Sequence, residues 1–372
     1  MAKVRVDNTR DAAFRDPTRK HAELKFGLLG LLWLVGTLIH HPGAHAQAPE
    51  GLTAVEGLRV GHFTLVDRPT GCTVILAEDG AVAGVDVRGG APGTRETDLL
   101  APGTLVQEVH GIAVSGGSAF GLDAASGVMR YLAERDIGFQ TSVARVPIVP
   151  AAILFDLAVG DDPTVRPDAQ CGYRAAETAS TAVVAEGNVG AGAGATIGKT
   201  GGSARAMKGG LGSASVRLAN GLVVAALVVV NAVGDVVDPA TGKIVAGVRT
   251  LDGTGLADAR RLLRANTVTP ARQGENTTLG VVATNARLTQ TQATQVARMA
   301  HDGFARAIIP SHTPSDGDAI FTLSTGQHSG APPLGLIGAL AADVVSEAIL
   351  RGVRAATGIP GYPAARDFPA VP

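Results

Sequence analysis

The architecture of this chain can be inferred from one segment, Asn276-Thr277-Thr278-Leu279-Gly280-Val281-Val282-Ala283-Thr284. The residues that follow Thr277 are small, β-branched or apolar, as a buried β-strand requires. Residues 270–276 are polar and show no periodicity, which predicts an exposed loop. Thr277 therefore stands at a loop-to-strand junction, which is where a self-cleaving precursor would place its nucleophile.

Cleavage of the 276–277 peptide bond would give Thr277 a free α-amine, whose ordinary pKa is about 8. Such an amine can act as the general base for the hydroxyl of its own residue, so that one residue supplies both nucleophile and base. The plain alternative is a strand that merely begins with threonine, and the rest of the chain has to decide between the two.

The composition predicts one large α/β domain. The chain has 372 residues, of which 49 are glycine, and it is 45% hydrophobic but only 3% aromatic, so its core must be built from alanine and valine. The net charge of −1 offers no basic surface for nucleic acid. Strand patterns interspersed with helix patterns predict sheets that are covered by helices.

Residues 1–46 have the pattern of a secretory signal peptide. Basic side chains precede an apolar run at 26–39, and a small-x-small cleavage pattern ends at Ala46. We therefore expect removal of residues 1–46, a periplasmic or secreted protein, and a folded domain that spans 47–372. An uncleaved membrane anchor is the alternative.

Two cysteines, Cys72 and Cys171, are present, and they match no zinc-binding spacing. We expect two buried free thiols. A disulfide is the alternative in an oxidising compartment.

The secondary structure is predicted from periodicity and from glycine and proline breaks. Strands are predicted at 58–65, 72–77, 81–88, 111–115, 222–231 and 320–325. Helices are predicted at 116–135, 173–184, 256–264, 289–308 and 336–353, and an extended tail at 359–372.

Three polar residues at strand ends are candidates for chemistry beside Thr277. Asn231 ends a valine-rich strand, where its amide would donate to an oxyanion or would simply begin a turn. Asp316 and Asp318 precede the strand at 320–325, and they could orient the amine and hydroxyl of a threonine nucleophile. A metal site or an ordinary loop is the alternative for this pair.

Lys199 is an isolated cation in the glycine-rich segment 190–200. A phosphate-binding loop is not indicated, because Ala193 occupies a position that this motif reserves for glycine. A buried lysine close to a terminal amine would lower the pKa of that amine, and a solvated turn is the alternative. His301 and His312 are not expected to be catalytic, since the amine is the expected base.

Taken together, five segments resemble the L-aminopeptidase/D-esterase family, which includes β-aminopeptidases and nylon-oligomer hydrolases. The matching segments are 112–129, 146–156, 192–199, 276–285 and 312–318. The resemblance implies an α/β fold of the four-layer αββα type that cuts itself between Asn276 and Thr277. The products would be an α chain, 47–276, and a β chain, 277–372.

The resemblance also implies the roles of the site residues. Thr277 would be the nucleophile, Asn231 would stabilise the oxyanion, and Lys199 would tune the nucleophile. Asp316 and Asp318 would orient Thr277, and this threonine with Asp-Gly-Asp resembles the nylon-oligomer hydrolase branch. A tyrosine common in the family is replaced here by Phe155, which is therefore a candidate for the substrate pocket.

The implied activity is hydrolysis of small peptides, amino acid amides or esters through an acyl-enzyme. The family likeness suggests homo-oligomers, expected to be tetramers, and requires no metal or organic cofactor. Three alternatives remain at this stage: an acyltransferase of the ornithine acetyltransferase type, a Ca²⁺- or Mg²⁺-dependent hydrolase that uses Asp316 and Asp318, and an inactive periplasmic binding protein.

Overall fold

The computed structural model describes residues 51–269 and 274–368. The predicted signal peptide, residues 1–46, lies outside the described residues. Within them, nine strands form one sheet: β1 (Arg59–Thr64), β2 (Gly71–Val87), β3 (Thr94–Arg95), β4 (Glu108–Ser115), β5 (Ala151–Ile153), β6 (Gly210–Arg217), β7 (Val223–Asn231), β8 (Thr277–Thr284) and β9 (Ala319–Ser324).

The described residues also form five α-helices. They are α1 (Ala124–Ala133), α2 (Ala169–Glu177), α3 (Ala259–Arg264), α4 (Gln290–Ala307) and α5 (Leu334–Ala355). Shorter strands are Phe139–Gln140, Arg145–Val146, Thr196–Ile197, Met207–Lys208, Asp235–Val237, Ile244–Ala246 and Ile308–Ile309. Turns of 3₁₀-helix are Leu52–Ala54, Thr97–Leu100, Ser118–Asp123, Gly190–Gly192, Lys199–Gly201, Ser203–Arg205 and Ala365–Asp367.

The large sheet is mixed, and its strand order is β6-β7-β8-β9-β2-β4-β5-β3, with β1 paired to β2. The pairs β8–β9 and β4–β5 are parallel, and the remaining pairs are antiparallel. The two strands predicted at 72–77 and 81–88 are one strand, β2, so that prediction is wrong. The break signal was real, because the register with β4 shifts between Leu76 and Ala81 beside Gly80, whose φ is +85°.

Alternating side chains of β7 separate two layers of core. Val224, Ala226, Val228 and Val230 face the core formed with α4 and α5. The alternate residues from Val223 to Val229 face a second core, which lies between the two halves of the sheet. Since successive side chains of a strand point to opposite faces, β7 is buried on both sides, as its valine-rich sequence predicted.

The other half of the sheet shows the same division. On β2, Ile75 and Ala77 belong to the interior core, whereas Val74 and Leu76 pack with α1 and α2. The order of layers is therefore α4 and α5, one half of the sheet, the other half, and α1 and α2. This arrangement confirms the αββα sandwich, and its two inner layers are continuous through β2.

The helices predicted at 116–135 and 256–264 are α-helical only over Ala124–Ala133 and Ala259–Arg264. Two further predicted segments differ from the structure. The helix predicted at 173–184 begins earlier, where the Asp168 carboxylate accepts the N–H of Cys171, and α2 ends at Glu177. The tail predicted to be extended at 359–372 is packed as far as it is described, since Ile359 pairs with Tyr362 and Ala364 is fully buried. None of the described helices is long and apolar enough to cross a membrane.

Cys72 and Cys171 form a disulfide bond. The expectation of two free thiols is therefore wrong. The bond joins β2 to α2, so it links the inner sheet to the outer helical layer. Sequence spacing could not supply the distance between two residues on separate elements.

Candidate functional site

Thr277 is the first residue of β8 and is only 2% exposed. The segment before it was predicted to be an exposed loop, and within its described part, 274–276, that prediction is wrong at Asn276, which is 1% exposed. A backbone bridge between Asn276 and Asp316 holds the junction in place. The peptide bond between Asn276 and Thr277 therefore lies inside the protein.

Two donors converge on the carbonyl oxygen of Asn276. The Thr277 hydroxyl donates to it at 2.5 Å, and the backbone N–H of Gly317 donates to it at 2.9 Å. The hydroxyl oxygen is thus held beside the carbonyl group that it would attack. The Gly317 N–H lies where it would stabilise negative charge on that oxygen.

Gly317 lies too close to its neighbours to carry a side chain. A Cβ at this position would lie 2.3 Å from the carbonyl oxygen of Ala91 and 2.9 Å from the Thr277 hydroxyl oxygen. The glycine of Asp316-Gly317-Asp318 is thus required by close approach. Sequence reasoning considered the two carboxylates of this motif and missed the glycine between them.

The Asp318 carboxylate connects the strand of the nucleophile to a histidine. Its Oδ1 accepts the N–H of Thr278 at 2.7 Å. Its Oδ2 accepts hydrogen bonds from His312, at 3.1 Å from the backbone N–H and 2.8 Å from Nδ1. Asp318 therefore orients the start of β8, although the donor is the N–H of the residue after the nucleophile.

The Asp316 carboxylate is held within its own loop. Its Oδ2 accepts from Thr313, at 3.0 Å from the backbone N–H and 2.5 Å from the hydroxyl, and its Oδ1 accepts the N–H of Val233 at 3.4 Å. Burial and the nearby charge of Asp318 raise the pKa of Asp316 to about 6. No group of three His, Cys, Asp or Glu residues in 51–269 and 274–368 is arranged to hold a metal ion.

Asn231 is the strand neighbour of Thr277, because β7 and β8 pair in register at these two residues. Its Oδ1 accepts from Lys199 Nζ at 3.0 Å and from the Thr196 N–H at 2.9 Å. Its Nδ2 donates to the carbonyl oxygen of Phe155 at 3.0 Å. The amide is thus fixed in orientation, and this contact uses one of its two N–H groups.

Lys199 is buried, so the alternative of a solvated turn is wrong. Its Nζ also donates to the carbonyl oxygen of Glu275 at 3.3 Å, which places the ammonium one residue before the 276–277 bond. Burial lowers the pKa of Lys199 to about 7, and the charges of Asp316, Glu275 and Asp156 oppose that shift. Close to neutral pH this side chain is therefore a mixture of charged and neutral forms.

A small cleft of about 20 Å³ opens beside the buried site. The residues that line it are Phe155, Asp156, Ala158, Val159, Thr196, Lys199, Ser203, Glu275 and Tyr362. Tyr362 was missed because its segment was predicted to be an extended tail. A lone tyrosine in a proline-rich stretch carried no signal for a site.

The structure brings together Asn276 and the five residues predicted to act in catalysis, Thr277, Asn231, Asp316, Asp318 and Lys199, with Phe155 at the adjoining cleft. Sequence reasoning missed Gly317, Thr313 and Tyr362, and it set His312 aside. Their contacts depend on backbone groups and on the folding of separate loops, which spacing alone does not reveal.

Comparison with known proteins identifies the family. The model of Peptidase family S58 matches residues 50–366. An uncharacterized aminopeptidase of Mycobacterium tuberculosis (strain ATCC 25618 / H37Rv) is 42% identical over 343 residues, which cover 85% of this chain and 97% of that protein. A 6-aminohexanoate-oligomer endohydrolase of Kocuria sp. (strain KY2) is 31% identical over 320 residues, covering 80% of this chain and 84% of that protein.

A solved structure is similar in fold. The L-aminopeptidase D-Ala-esterase/amidase of Ochrobactrum anthropi, described as a new variant of the Ntn hydrolase fold, matches with a TM-score of 0.62. The two sequences are 22% identical, and the match covers 86% of this chain and 91% of that one. The resemblance noted from the sequence is confirmed, and the family supports a hydrolase. The chain belongs to peptidase family S58.

Proposed function

We propose that this protein is a self-processing amidohydrolase whose nucleophile is Thr277, exposed as an N-terminal residue by cleavage after Asn276. The observation that carries the proposal is the convergence of the Thr277 hydroxyl and the Gly317 N–H on the Asn276 carbonyl oxygen. A buried hydroxyl held against the carbonyl of the preceding residue is the arrangement that an N-to-O acyl shift requires.

Processing takes two chemical steps. The Thr277 hydroxyl oxygen attacks the Asn276 carbonyl carbon, the C–N bond breaks as the ester bond forms, and the hydroxyl proton passes to the freed amine. Water then hydrolyses the ester, which leaves a carboxylate on Asn276 and restores the Thr277 hydroxyl. The Gly317 N–H supports the first step, because it donates to the oxygen that becomes negatively charged.

Turnover of substrate repeats this chemistry with the new amine as base. The α-amine of Thr277 takes the hydroxyl proton as the oxygen attacks a substrate carbonyl, the amine or alcohol product leaves, and water hydrolyses the acyl-enzyme. Lys199 is held on Asn231, and in its charged form it would favour the free-base form of the amine. Asp318 orients the start of β8.

The substrates proposed are small peptides, amino acid amides or esters, and linear oligomers of ω-amino acids. Membership of a peptidase family supports substrates with an amide bond. One relative is named an aminopeptidase and another an oligomer endohydrolase, so both classes of substrate should be assayed.

We also propose that the protein is exported after removal of residues 1–46 and acts as an oligomer of αβ units. The Cys72–Cys171 disulfide supports an oxidising compartment. The processed subunits would consist of 47–276 and 277–372. Light scattering on the purified protein would give the number of αβ units.

Denaturing electrophoresis with N-terminal sequencing tests the proposal. We expect two fragments, one that begins at Gln47 and one that begins at Thr277, together with turnover of L-alanyl and β-alanyl p-nitroanilides or 6-aminohexanoate oligomers. Thr277→Ala should remain one chain without activity, since alanine has no hydroxyl.

Thr277→Ser is the matched control, because it keeps the hydroxyl and the amine. It should be processed and active. A wild-type protein that hydrolyses these substrates as a single chain, or a Thr277→Ala variant that is cleaved at the same bond, would refute the assignment.

A further inference from the structure

His312 makes a contact that the proposed chemistry does not yet use. Its Nδ1 lies 2.8 Å from Asp318 Oδ2, and its backbone N–H lies 3.1 Å from the same oxygen. The other oxygen of Asp318 accepts the N–H of Thr278, next to the nucleophile. A chain of hydrogen bonds therefore runs from the imidazole through Asp318 to the start of β8.

The backbone at His312 is strained in order to make this contact. Its φ is +54°, in the left-handed region that residues other than glycine seldom adopt. A conformation of this kind is unfavourable and persists where the surroundings over-determine it. Here it turns the backbone N–H and the ring toward one carboxylate oxygen.

The ring is fixed from behind by two aromatic neighbours. Its centroid lies 4.8 Å from that of His301 and 5.8 Å from that of Phe304, and both of these side chains are fully buried. His301 is anchored in turn at the carbonyl oxygen of Asp86, 3.1 Å from its Nε2. The imidazole of His312 thus has little freedom to rotate away from Asp318.

Only one ring nitrogen of His312 is used. Its Nε2 is buried and has no hydrogen-bond partner among the described residues, and the same holds for Nδ1 of His301. Burial of an unpartnered polar atom carries a cost in stability. A side chain whose purpose was packing alone would avoid that cost by being apolar, so the retained nitrogen is the one that donates to Asp318.

We propose that His312 is a positioning residue that fixes the Asp318 carboxylate against the N-terminal end of β8. There the carboxylate keeps Thr277 aligned for attack, both before and after its amine is released. The inference rests on the proposed function, because it requires Thr277 to be the nucleophile. It predicts that turnover requires an N–H donor at the position of His312 Nδ1, and that any side chain with such a donor can replace the imidazole.

Two substitutions of His312 separate these possibilities. His312→Asn keeps an N–H close to the position of Nδ1, and asparagine tolerates a positive φ. His312→Ala removes the donor. We expect His312→Ala to lower kcat about 10- to 100-fold with KM within about twofold, since a misaligned nucleophile slows the chemical step. His312→Asn should stay within about threefold of the wild-type kcat, as expected when alignment is retained.

The measurements are steady-state kinetics on the best p-nitroanilide or oligomer substrate, the fraction cleaved on a denaturing gel, and a thermal melt. His301→Phe is the structural control, because it removes the contact with the Asp86 carbonyl oxygen but keeps an aromatic ring packed against His312. It should lower the melting temperature and leave kcat unchanged.

Each outcome decides the inference. An alanine variant with wild-type kcat overturns it, as does a folded and cleaved asparagine variant that is slowed as much as alanine. If the alanine variant stays uncleaved while the asparagine variant is cleaved, positioning is supported at the processing step. If both fold and neither is cleaved, the imidazole itself is needed and the inference is wrong. Failure of the proposed function would be seen separately, because wild type would then be active as a single chain or Thr277→Ala would still be cleaved.

Discussion

At the scale of single residues, the site depends on backbone groups as much as on side chains. The proximity of Thr277, Asp316 and Asp318 could be predicted from the family resemblance, whereas the residues alone left a plain strand and an ordinary loop as alternatives. Gly317 could not be predicted, since its contribution is an N–H that almost every residue carries. Its importance comes from where the fold places it, 2.9 Å from the Asn276 carbonyl oxygen.

A substitution of Gly317 tests this arrangement. In Gly317→Ala the new Cβ would meet the Ala91 carbonyl oxygen and the Thr277 hydroxyl oxygen, so the loop must shift and the N–H with it. We expect self-cleavage to slow by about 100-fold or more, the usual effect of losing an oxyanion donor or misplacing a nucleophile by about 1 Å. Timed samples on denaturing gels would measure it.

Gly335→Ala is the control for the Gly317 variant. A Cβ at Gly335 would meet no atom within 4 Å, and this residue lies at the start of α5. It should be processed at the wild-type rate. Normal processing of Gly317→Ala would show that neither the position of its N–H nor the close approach to Thr277 matters.

At the scale of elements, long periodic segments were predictable and their junctions were not. The strand predicted at 222–231 differs from β7 by one residue at its start, and the helix predicted at 289–308 differs from α4 by one residue at each end. Burial and amphipathic spacing define these two elements locally. α2 was misplaced at both ends. Its start depends on the Asp168 cap, and beyond its end Ser180 pairs with Val60 of β1, a partner far away in sequence.

The start of α4 provides a prediction at this scale. The Thr289 hydroxyl accepts the N–H of Gln292, and the Gln292 side chain accepts the N–H of Thr289, which forms a reciprocal capping box. Thr289→Ala should lower the free energy of unfolding by about 1 kcal/mol, since one helix N–H loses its partner. Urea unfolding would measure the change.

Thr289→Ser preserves the capping oxygen and should remain within about 0.5 kcal/mol of wild type, the usual range for a substitution that removes no specific interaction. Neither variant should alter self-cleavage, because the cap does not contact Thr277. Equal loss of stability in the serine and alanine variants would contradict the capping role.

At the scale of the whole molecule, the layer order was predictable from family resemblance, whereas the covalent link across the layers was not. The two cysteines lie on β2 and α2, and only the packing of that helix on the sheet brings them together. Both precede Asn276 in sequence. The disulfide therefore lies within the proposed α chain and does not tether it to the β chain.

Removal of the disulfide should lower stability without affecting processing. We expect the double variant Cys72→Ala/Cys171→Ala to lose about 2–5 kcal/mol of unfolding free energy, the usual cost of removing a native disulfide that closes a long loop. Urea unfolding is best measured in the Thr277→Ala background, where a single chain unfolds. Dithiothreitol should destabilise the Thr277→Ala parent by a similar amount and leave the cysteine-free protein unchanged.

On non-reducing gels, wild type should still separate into two fragments, because both cysteines lie on the same side of the cleaved bond. If dithiothreitol leaves the Thr277→Ala protein unchanged, and if the Cys72→Ala/Cys171→Ala variant in that background is equally stable, the disulfide does not contribute to the free energy of unfolding.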